Sequence, residues 1–215
     1  MTLPAWPAPL RVLPLALLLA LLLASSAAPA RAGACDGYAP DLAAMVQADQ
    51  ALRGRLDGAT EASRPLGNAL DAVDRANTAR LKRWLARCGW PQARRDGPAA
   101  SAQAWLLVQH ADRDRAFQHA VLPVLERAVR RGEARGGDLA YLDDRLAVAE
   151  GRPQRYGTQF TGIDHCRLTL APIDDREAVD ARRRAIPGMP SLAEYERAAA
   201  AQILPPACRG DAPAP

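Results

Sequence analysis

The sequence predicts a mainly α-helical fold, a single-domain helical bundle with a small β-hairpin near residues 155–172. Apolar side chains recur every three or four residues through most of the chain, as they do on one face of a helix. Only the stretches YGTQF and CRLTLAPI combine β-forming residues with alternation. A length of 215 residues suggests one domain. We expect this domain at residues 35–204, between a signal peptide at 1–34 and a flexible tail at 205–215.

The first 34 residues have the pattern of a secretory signal peptide. Arg11 precedes an apolar run at about residues 12–24, and residues 30–34 contain two cleavage sites of the small-x-small type. The apolar run is too short for a comfortable transmembrane helix. We therefore expect an exported protein, periplasmic or secreted. Two minority alternatives attach it to a membrane: an uncleaved signal segment, or lipidation of Cys35 after cleavage.

The number of cysteines fits an oxidising compartment, because an even number can pair completely. The four cysteines are Cys35, Cys88, Cys166 and Cys208. Two disulfides are expected, and the sequence leaves all three connectivities open. No Cys/His spacing resembles a zinc site, so we expect no structural metal.

The charge balance argues against nucleic acid as a partner. The chain has 28 basic and 24 acidic residues, for a formal net charge of +4. Two of the basic residues fall within the predicted signal peptide. Such a balanced chain lacks the basic footprint that nucleic-acid binding requires, and export makes nucleic acid a still poorer candidate.

Helical periodicity predicts seven helices after the signal peptide. Their expected bounds are Asp41–Leu56, Ala69–Arg87, Pro98–Gln109, Arg115–Arg131, Leu139–Ala149, Arg176–Arg184 and a last helix that begins after Ser191. Asp114 is an N-cap candidate, and Ser191 with Glu194 fits a capping box. Residues 58–67 contain two glycines and a proline and are expected to form a loop.

Several polar residues lie where helical periodicity places apolar ones. They are Asn77, Gln118, Asp143 and Arg145, and Gln109 and His110 directly follow the apolar run AWLLV. A buried polar group costs free energy unless it is hydrogen-bonded, and an unpaired buried charge costs several kcal/mol. We therefore expect these residues to meet one another inside the bundle.

The turn GRPQRYGTQF supplies donors and acceptors that could complete this polar cluster, among them Gln154, Tyr156 and Gln159. Two interpretations stay open. A network that is satisfied internally would fasten the hairpin to the helices. A network open to solvent would line a pocket, with His110 as base or ligand, Asp112 or Asp143 as carboxylate, and Arg145 as the anchor for an anion.

The ordered strings GWP, QHADRD, FQ, YLDDR and GRPQRYGTQ resemble a family of uncharacterised bacterial proteins, catalogued as a domain of unknown function. The resemblance runs from about residue 41 to residue 195 and includes DQALR at 49–53 and DRAN at 74–77. It implies a mostly helical fold with recurring polar residues, and it brings no activity that can be named. In the family the acid directly before the arginine of YLDDR recurs, so Asp144 ranks above Asp143.

These arguments define the candidate site residues. The catalytic candidates are His110, Asp112 and Asp144. The ligand-binding candidates are Gln109, His110, Gln118, Arg145, Gln154, Tyr156 and Gln159, with Asp49, Arg53, Asn77 and Asp143 in a second tier. No metal is expected at His110, Asp112 and Asp114, because residues two apart face different sides of a helix.

Three function hypotheses from different classes follow. The first is an exported binding protein whose polar pocket holds a small polar or anionic ligand. The second is an extracytoplasmic hydrolase that uses His110 with an aspartate. The third is an interaction module of the cell envelope that has no pocket. The sequence identifies no cofactor and leaves the question of enzymatic activity open.

Overall fold

The computed structural model describes residues 33–57 and 64–208. Its helices are α1 (Tyr38–Asp57), α2 (Arg64–Cys88), α3 (Ala93–Asp96), α4 (Ala100–Gln109), α5 (Arg115–Arg130), α6 (Gly136–Ala149), α7 (Val179–Arg184) and α8 (Leu192–Ile203). Strands β1 (Phe160–Asp164) and β2 (Arg167–Leu170) lie between α6 and α7, and a 3-10 turn follows at Pro206–Cys208. None of these helices is long and apolar enough to cross a membrane. Residues 1–32 of the predicted signal peptide and 209–215 of the predicted tail lie outside the described residues.

The predicted fold class is confirmed: the described part is mainly helical and holds a small antiparallel hairpin at the expected place. The helix ends lie close to the predicted ones except at the start of α2. Residues 64–67 were predicted to belong to a loop, and they form the first turn of α2. Pro65 fits there because the first helical residues need no backbone N–H donor. The four-residue α3 was not predicted, since it is too short to show a period.

The hydrophobic core centres on α4. Trp105, Leu107 and Val108 of the AWLLV run are buried, and α4 contacts α1, α2 and α5. The neighbouring helices contribute fully buried leucines such as Leu42 of α1 and Leu125 of α5. Each such side chain stabilises the fold by roughly 1.5–3 kcal/mol. This packing fixes the C-terminal end of α4 against α1 and α2, where the candidate site lies.

The predicted helix caps are present. Asp114 accepts a hydrogen bond from the backbone N–H of Phe117 at 3.0 Å, as expected for the N-cap of α5. Ser191 and Glu194 form the predicted capping box at the start of α8. These caps satisfy N–H groups that have no partner within the first turn of a helix.

The four cysteines form two disulfides, as predicted, and the structure resolves their pairing. Cys35 is bonded to Cys88, which joins the chain before α1 to the end of α2. Cys166 is bonded to Cys208, which joins the turn of the hairpin to the 3-10 turn. This bond ties the 3-10 turn at Pro206–Cys208 to the hairpin.

Candidate functional site

The candidate residues fall into three groups, with no hydrogen bond between groups in the described part of the chain. The cleft cluster consists of Asp49, Arg53, Asp74 and His110. The Arg145 bridge consists of Asp112, Gln118 and Arg145. The turn clamp consists of Asp144, Gln154, Thr158, Gln159 and Arg183 around the backbone of Tyr156. The sequence predicted one shared cluster, whereas His110 lines one cleft and Arg145 and Gln159 line another depression, beside β1.

Asp144 is the anion at the centre of the turn clamp. Its side chain is fully buried, with 0 % exposed. The carboxylate accepts hydrogen bonds from the backbone N–H of Arg155 at 2.7 Å, of Tyr156 at 3.0 Å and of Thr158 at 3.0 Å. The Thr158 hydroxyl donates a fourth bond at 3.0 Å. The donors of one turn thus compensate the buried charge of Asp144. Its side chain lines none of the clefts described here.

Gln154 closes the same turn from the other side. Its side chain is also 0 % exposed. Its amide nitrogen donates to the carbonyls of Gln159 at 3.0 Å and Ala171 at 2.9 Å, and its amide oxygen accepts from the Gln159 N–H at 2.8 Å. The Gln159 side chain donates to the Thr158 hydroxyl at 3.0 Å. The amides of this turn therefore hold the turn together and leave little capacity for a ligand.

Arg183 of α7 completes the turn clamp. It is 1 % exposed and donates to the carbonyls of Tyr156 and Pro190, both at 2.6 Å. The Tyr156 residue is therefore held at its N–H by Asp144 and at its carbonyl by Arg183. These contacts support the structural interpretation for this part of the predicted cluster.

The Arg145 bridge joins α6 to the loop after α4. Arg145 Nε donates to Asp112 Oδ1 at 2.7 Å, and the buried Gln118 donates to the Val108 carbonyl at 3.0 Å and to Asp112 at 3.3 Å. Burial raises the pKa of Asp112, but Arg145 and Gln118 outweigh it and the net shift is downward. Because Asp112 already neutralises it, Arg145 is a poor anchor for an anion.

Three other candidates have local roles. The Asn77 side chain donates to the Met45 carbonyl at 3.2 Å and thereby joins α2 to α1. Gln109 offers its carbonyl to Gln118 at 3.4 Å. Among the described residues, the one ion pair of Asp143 is a distant one, at 3.9 Å, with the exposed Arg155.

The cleft cluster lies where α1, α2 and the end of α4 meet. Asp49 is 1 % exposed, and its Oδ1 lies 2.9 Å from His110 Nδ1. Arg53 donates from Nε to the same oxygen at 3.1 Å and from Nη2 to Asp74 at 2.9 Å. Gln50 donates to the other oxygen of Asp49 at 2.7 Å. One arginine therefore joins two carboxylates, and one of these also holds the histidine.

The tautomer of His110 follows from the hydrogen-bond donors and acceptors around its Nδ1 atom. Arg53 Nε lies 3.1 Å from His110 Nδ1, but it carries a single hydrogen that it can give to Asp49. A bare Nδ1 would set its lone pair against a carboxylate oxygen of Asp49, which is unfavourable. We therefore place the hydrogen on Nδ1, which donates to Asp49, and the lone pair on Nε2.

The Nε2 atom of His110 is open to solvent. It has no hydrogen-bond partner among the described residues. In that part of the chain, the hydroxyl of Tyr38 is the one side-chain nitrogen or oxygen that is both fully enclosed and without a partner. Nε2 of His110, which also has no partner, is thus not fully enclosed. Nε2 is therefore accessible, in keeping with the 17 % exposure of the His110 side chain.

Burial, together with the charge of Arg53, keeps His110 neutral. Burial lowers its pKa, Asp49 raises it and Arg53 lowers it, and the net shift is downward. Burial raises the pKa of Asp49, but Gln50, His110 and Arg53 outweigh it and the net shift is again downward. A neutral imidazole beside an ionised carboxylate is the protonation pattern of a hydrogen-bond acceptor or a general base.

A cleft of about 270 Å³ opens beside the cluster, between α2 and the loop after α4. Asp74, Arg75 and Lys82 line its α2 side, and His110 and Arg113 lie on the other. Lys82 pairs with Asp114, and Arg113 Nε donates to Asp71 at 2.9 Å. Arg75 has no partner among the described residues. Nowhere in those residues do three or more His, Cys, Asp or Glu side chains form a group that could hold a metal ion.

A comparison with known families decides where the chain belongs. The sequence profile of a family of unknown function, DUF6624, matches residues 37–202. The chain is a member of DUF6624. No curated protein and no solved structure matches it significantly. The expected resemblance to a family of unknown function is thereby confirmed, and the matched DUF6624 region contains all three groups of candidate residues.

Three residues near these groups were not predicted. Asp74 and Arg75 open the motif DRAN, of which only Asn77 had been taken as a candidate. The motif was therefore an available signal for the cleft. Arg183 had no such signal, because it lies in the run RRR, which is typical of a solvated helix face.

Proposed function

We propose that this DUF6624 protein is exported and that it binds a small polar or anionic ligand in the cleft beside His110. The observation that carries the proposal is the Nε2 atom of His110, which has no partner among the described residues and belongs to a ring that the buried, ionised Asp49 holds beside the cleft. A concave site with a few fixed polar groups is the common form of a small-molecule site. Arg75 supplies a cation for an anionic group. The two disulfides and the apolar N-terminal run support export.

Amide NMR shifts under titration with inorganic phosphate, acetate and glucose test the binding site. We expect at least one of these probes to shift the amide resonances of Thr78, Ala79 and Ala111 in a saturable way. His110→Asn keeps a donor for Asp49 but removes Nε2, so it should weaken this binding more than about tenfold, or 1.4 kcal/mol. His119→Asn, on the exposed face of α5, is the matched control and should leave the binding unchanged.

The proposal fails if none of the probes shifts these resonances at concentrations up to about 10 mM. That concentration is ten times the Kd that corresponds to a binding free energy of about −4 kcal/mol. It also fails if His110→Asn binds as tightly as the parent.

The distance of 2.9 Å between His110 and Asp49 favours a second candidate function, hydrolysis. In this mechanism Nε2 of His110 takes a proton from water as the water attacks a carbonyl or phosphoryl group. The imidazolium then gives that proton to the leaving oxygen as the bond between this oxygen and the attacked group breaks. Asp49 holds the ring and stabilises the imidazolium that forms. The carboxylate partner is Asp49, which was a second-tier candidate, whereas Asp112 and Asp144 have other partners.

Hydrolysis of p-nitrophenyl acetate and p-nitrophenyl phosphate by the purified protein tests this function. If His110 is a general base, His110→Asn should lower the rate by about 10²–10⁴-fold. His119→Asn should retain it. A rate that is the same in both variants would come from elsewhere on the protein and would rule the mechanism out.

A further inference from the structure

A second cavity, of about 270 Å³, lies at the N-terminus of α6 and shares no lining residue with the cleft beside His110. Gly137, in the first turn of α6, lines it, and Arg183 lines it from α7. The rings of Tyr141 and Tyr195 and the segment Pro187–Pro190 form its other walls. The cavity therefore combines an apolar surface with two groups that attract negative charge.

The first of these groups is the N-terminus of α6. Its N-cap residue, Arg135, is extended and makes no side-chain cap. The backbone N–H groups of Gly136 and Gly137 have no hydrogen-bond partner among the described residues, whereas the N–H of Asp138 bonds to the Arg135 carbonyl. A helix N-terminus with free N–H groups attracts an anion through its donors and its dipole.

The second, independent group is Arg183. Its side chain is 1 % exposed, yet no carboxylate of the described residues forms an ion pair with it. Nε and Nη1 donate to carbonyls, and Nη2 has no partner in the described part. Among the described residues, the Tyr38 hydroxyl is the one side-chain nitrogen or oxygen that is both fully enclosed and without a partner. Because Nη2 of Arg183 has no partner either, it is not fully enclosed and must reach a surface. The surface beside Arg183 is the wall of this cavity.

The neighbouring acids Asp144 and Asp180 act on Arg183 through their charges, but neither forms an ion pair with it in the described part. Asp144 is occupied by the turn, and Asp180 accepts from the Leu192 N–H at 2.7 Å. Asp138, the acid that lines the cavity, pairs with Arg135 at 2.7 Å. The formal charges of the three charged residues that line the cavity, Arg135, Asp138 and Arg183, sum to +1.

The tyrosine pair offers no competing donor. The hydroxyls of Tyr141 and Tyr195 are hydrogen-bonded to each other. The Tyr195 hydroxyl gives its hydrogen to the Thr158 carbonyl at 2.8 Å, so the Tyr141 hydroxyl is the donor in the bond between the two tyrosines. The guanidinium of Arg183 lies 4.9 Å from the centre of the Tyr195 ring. An organic body would therefore meet aromatic and proline surface, while its charged end meets Arg183.

We propose that this cavity is a binding site for a small organic monocarboxylate. The carboxylate lies between Nη2 of Arg183 and the free N–H groups at the start of α6, and the apolar body packs against Tyr141, Tyr195 and Pro190. One negative charge matches the formal charge of +1 of the lining residues.

The test is titration of the full mature protein with sodium benzoate, followed by the NMR resonances of Gly136, Gly137 and the Tyr195 ring. We expect saturable shifts at millimolar benzoate, and no binding of benzamide, which has the same shape without the charge. Gly137→Asp sets a carboxylate at the cavity wall. A Cβ at this position meets nothing within 4 Å, and an acid in the first turn of a helix is favourable, so the variant should fold.

Gly137→Asp should weaken benzoate binding more than about tenfold. The matched control is Gly67→Asp, the same substitution near the start of α2, where a Cβ also meets nothing within 4 Å. It should leave the benzoate-induced shifts of Gly136 and Gly137 unchanged.

The proposal is overturned if benzoate causes no shift up to about 10 mM. Equal binding of benzamide, or unchanged binding in Gly137→Asp, would overturn it as well.

Discussion

Replacement of Asp144 by asparagine should lower the free energy of unfolding by about 3–5 kcal/mol, the usual cost of breaking a buried charged interaction. The carboxylate accepts hydrogen bonds from four donors of Arg155, Tyr156 and Thr158, all in one turn. An asparagine keeps one acceptor oxygen and turns an NH₂ group toward backbone N–H donors, which leaves buried donors unsatisfied. Urea denaturation at pH 7, with midpoint and slope, measures the loss.

The adjacent residue supplies the control. The Asp143 side chain is 38 % exposed, and its one ion pair in the described part of the chain is the 3.9 Å pair with Arg155. Asp143→Asn should therefore change the free energy of unfolding by no more than about 0.5 kcal/mol. Similar losses in the two variants would mean that the turn does not depend on Asp144.

Removal of the disulfide between Cys35 and Cys88 should have an effect of similar size. The two residues are 53 positions apart, and opening a loop of that length gives the unfolded chain entropy worth about 4 kcal/mol. We expect the double variant Cys35→Ser/Cys88→Ser to melt about 10 °C below the parent in calorimetry.

The other disulfide provides the comparison. Cys166 and Cys208 are 42 positions apart, so loop closure alone gives nearly the same value. This bond fastens the hairpin turn to the 3-10 turn after α8, and that segment can detach while the helical core stays folded. Cys166→Ser/Cys208→Ser should therefore lower the melting temperature less. An unchanged melting temperature in the Cys35/Cys88 variant would contradict the role assigned to the first bond.

The sequence was informative wherever local chemistry decides the structure. Helical periodicity located α1, α4 and α5, and Asp114 was recognised as a cap because its side chain bonds only three residues away. The hairpin followed from alternation between residues 155 and 172. The start of α2 was missed because glycine and proline signal a loop, although proline is also tolerated in a first helical turn.

The polar residues were harder, because their partners lie far away along the chain. His110 and Asp49 are 61 positions apart, and their contact depends on how α4 packs against α1. Periodicity favoured Asp143 on the face of α6, whereas the family resemblance favoured Asp144, which is the fully buried residue. Burial of Arg183 depends on the turn that it holds, and its own neighbours in the chain give no indication of it.

The division of the polar residues also explains why a single pocket was expected. Any buried polar residue needs a partner, so several such residues on different helices suggest one shared network. The turn around Tyr156 satisfies one set internally, and Asp112 satisfies Arg145. In the cleft cluster, the Nε2 atom of His110 has no partner among the described residues, and both proposed functions of the cleft depend on it.

The most direct test of this account is a nitrogen NMR measurement on the His110 ring of the wild-type protein across neutral and mildly acidic pH. The account predicts a neutral ring at pH 7, with the hydrogen on Nδ1, a bare Nε2, and a pKa below the ordinary value of about 6.5. A hydrogen on Nε2 at pH 7, or a ring that is doubly protonated there, would contradict it, because the cleft would then lack the acceptor on which binding and hydrolysis both rest.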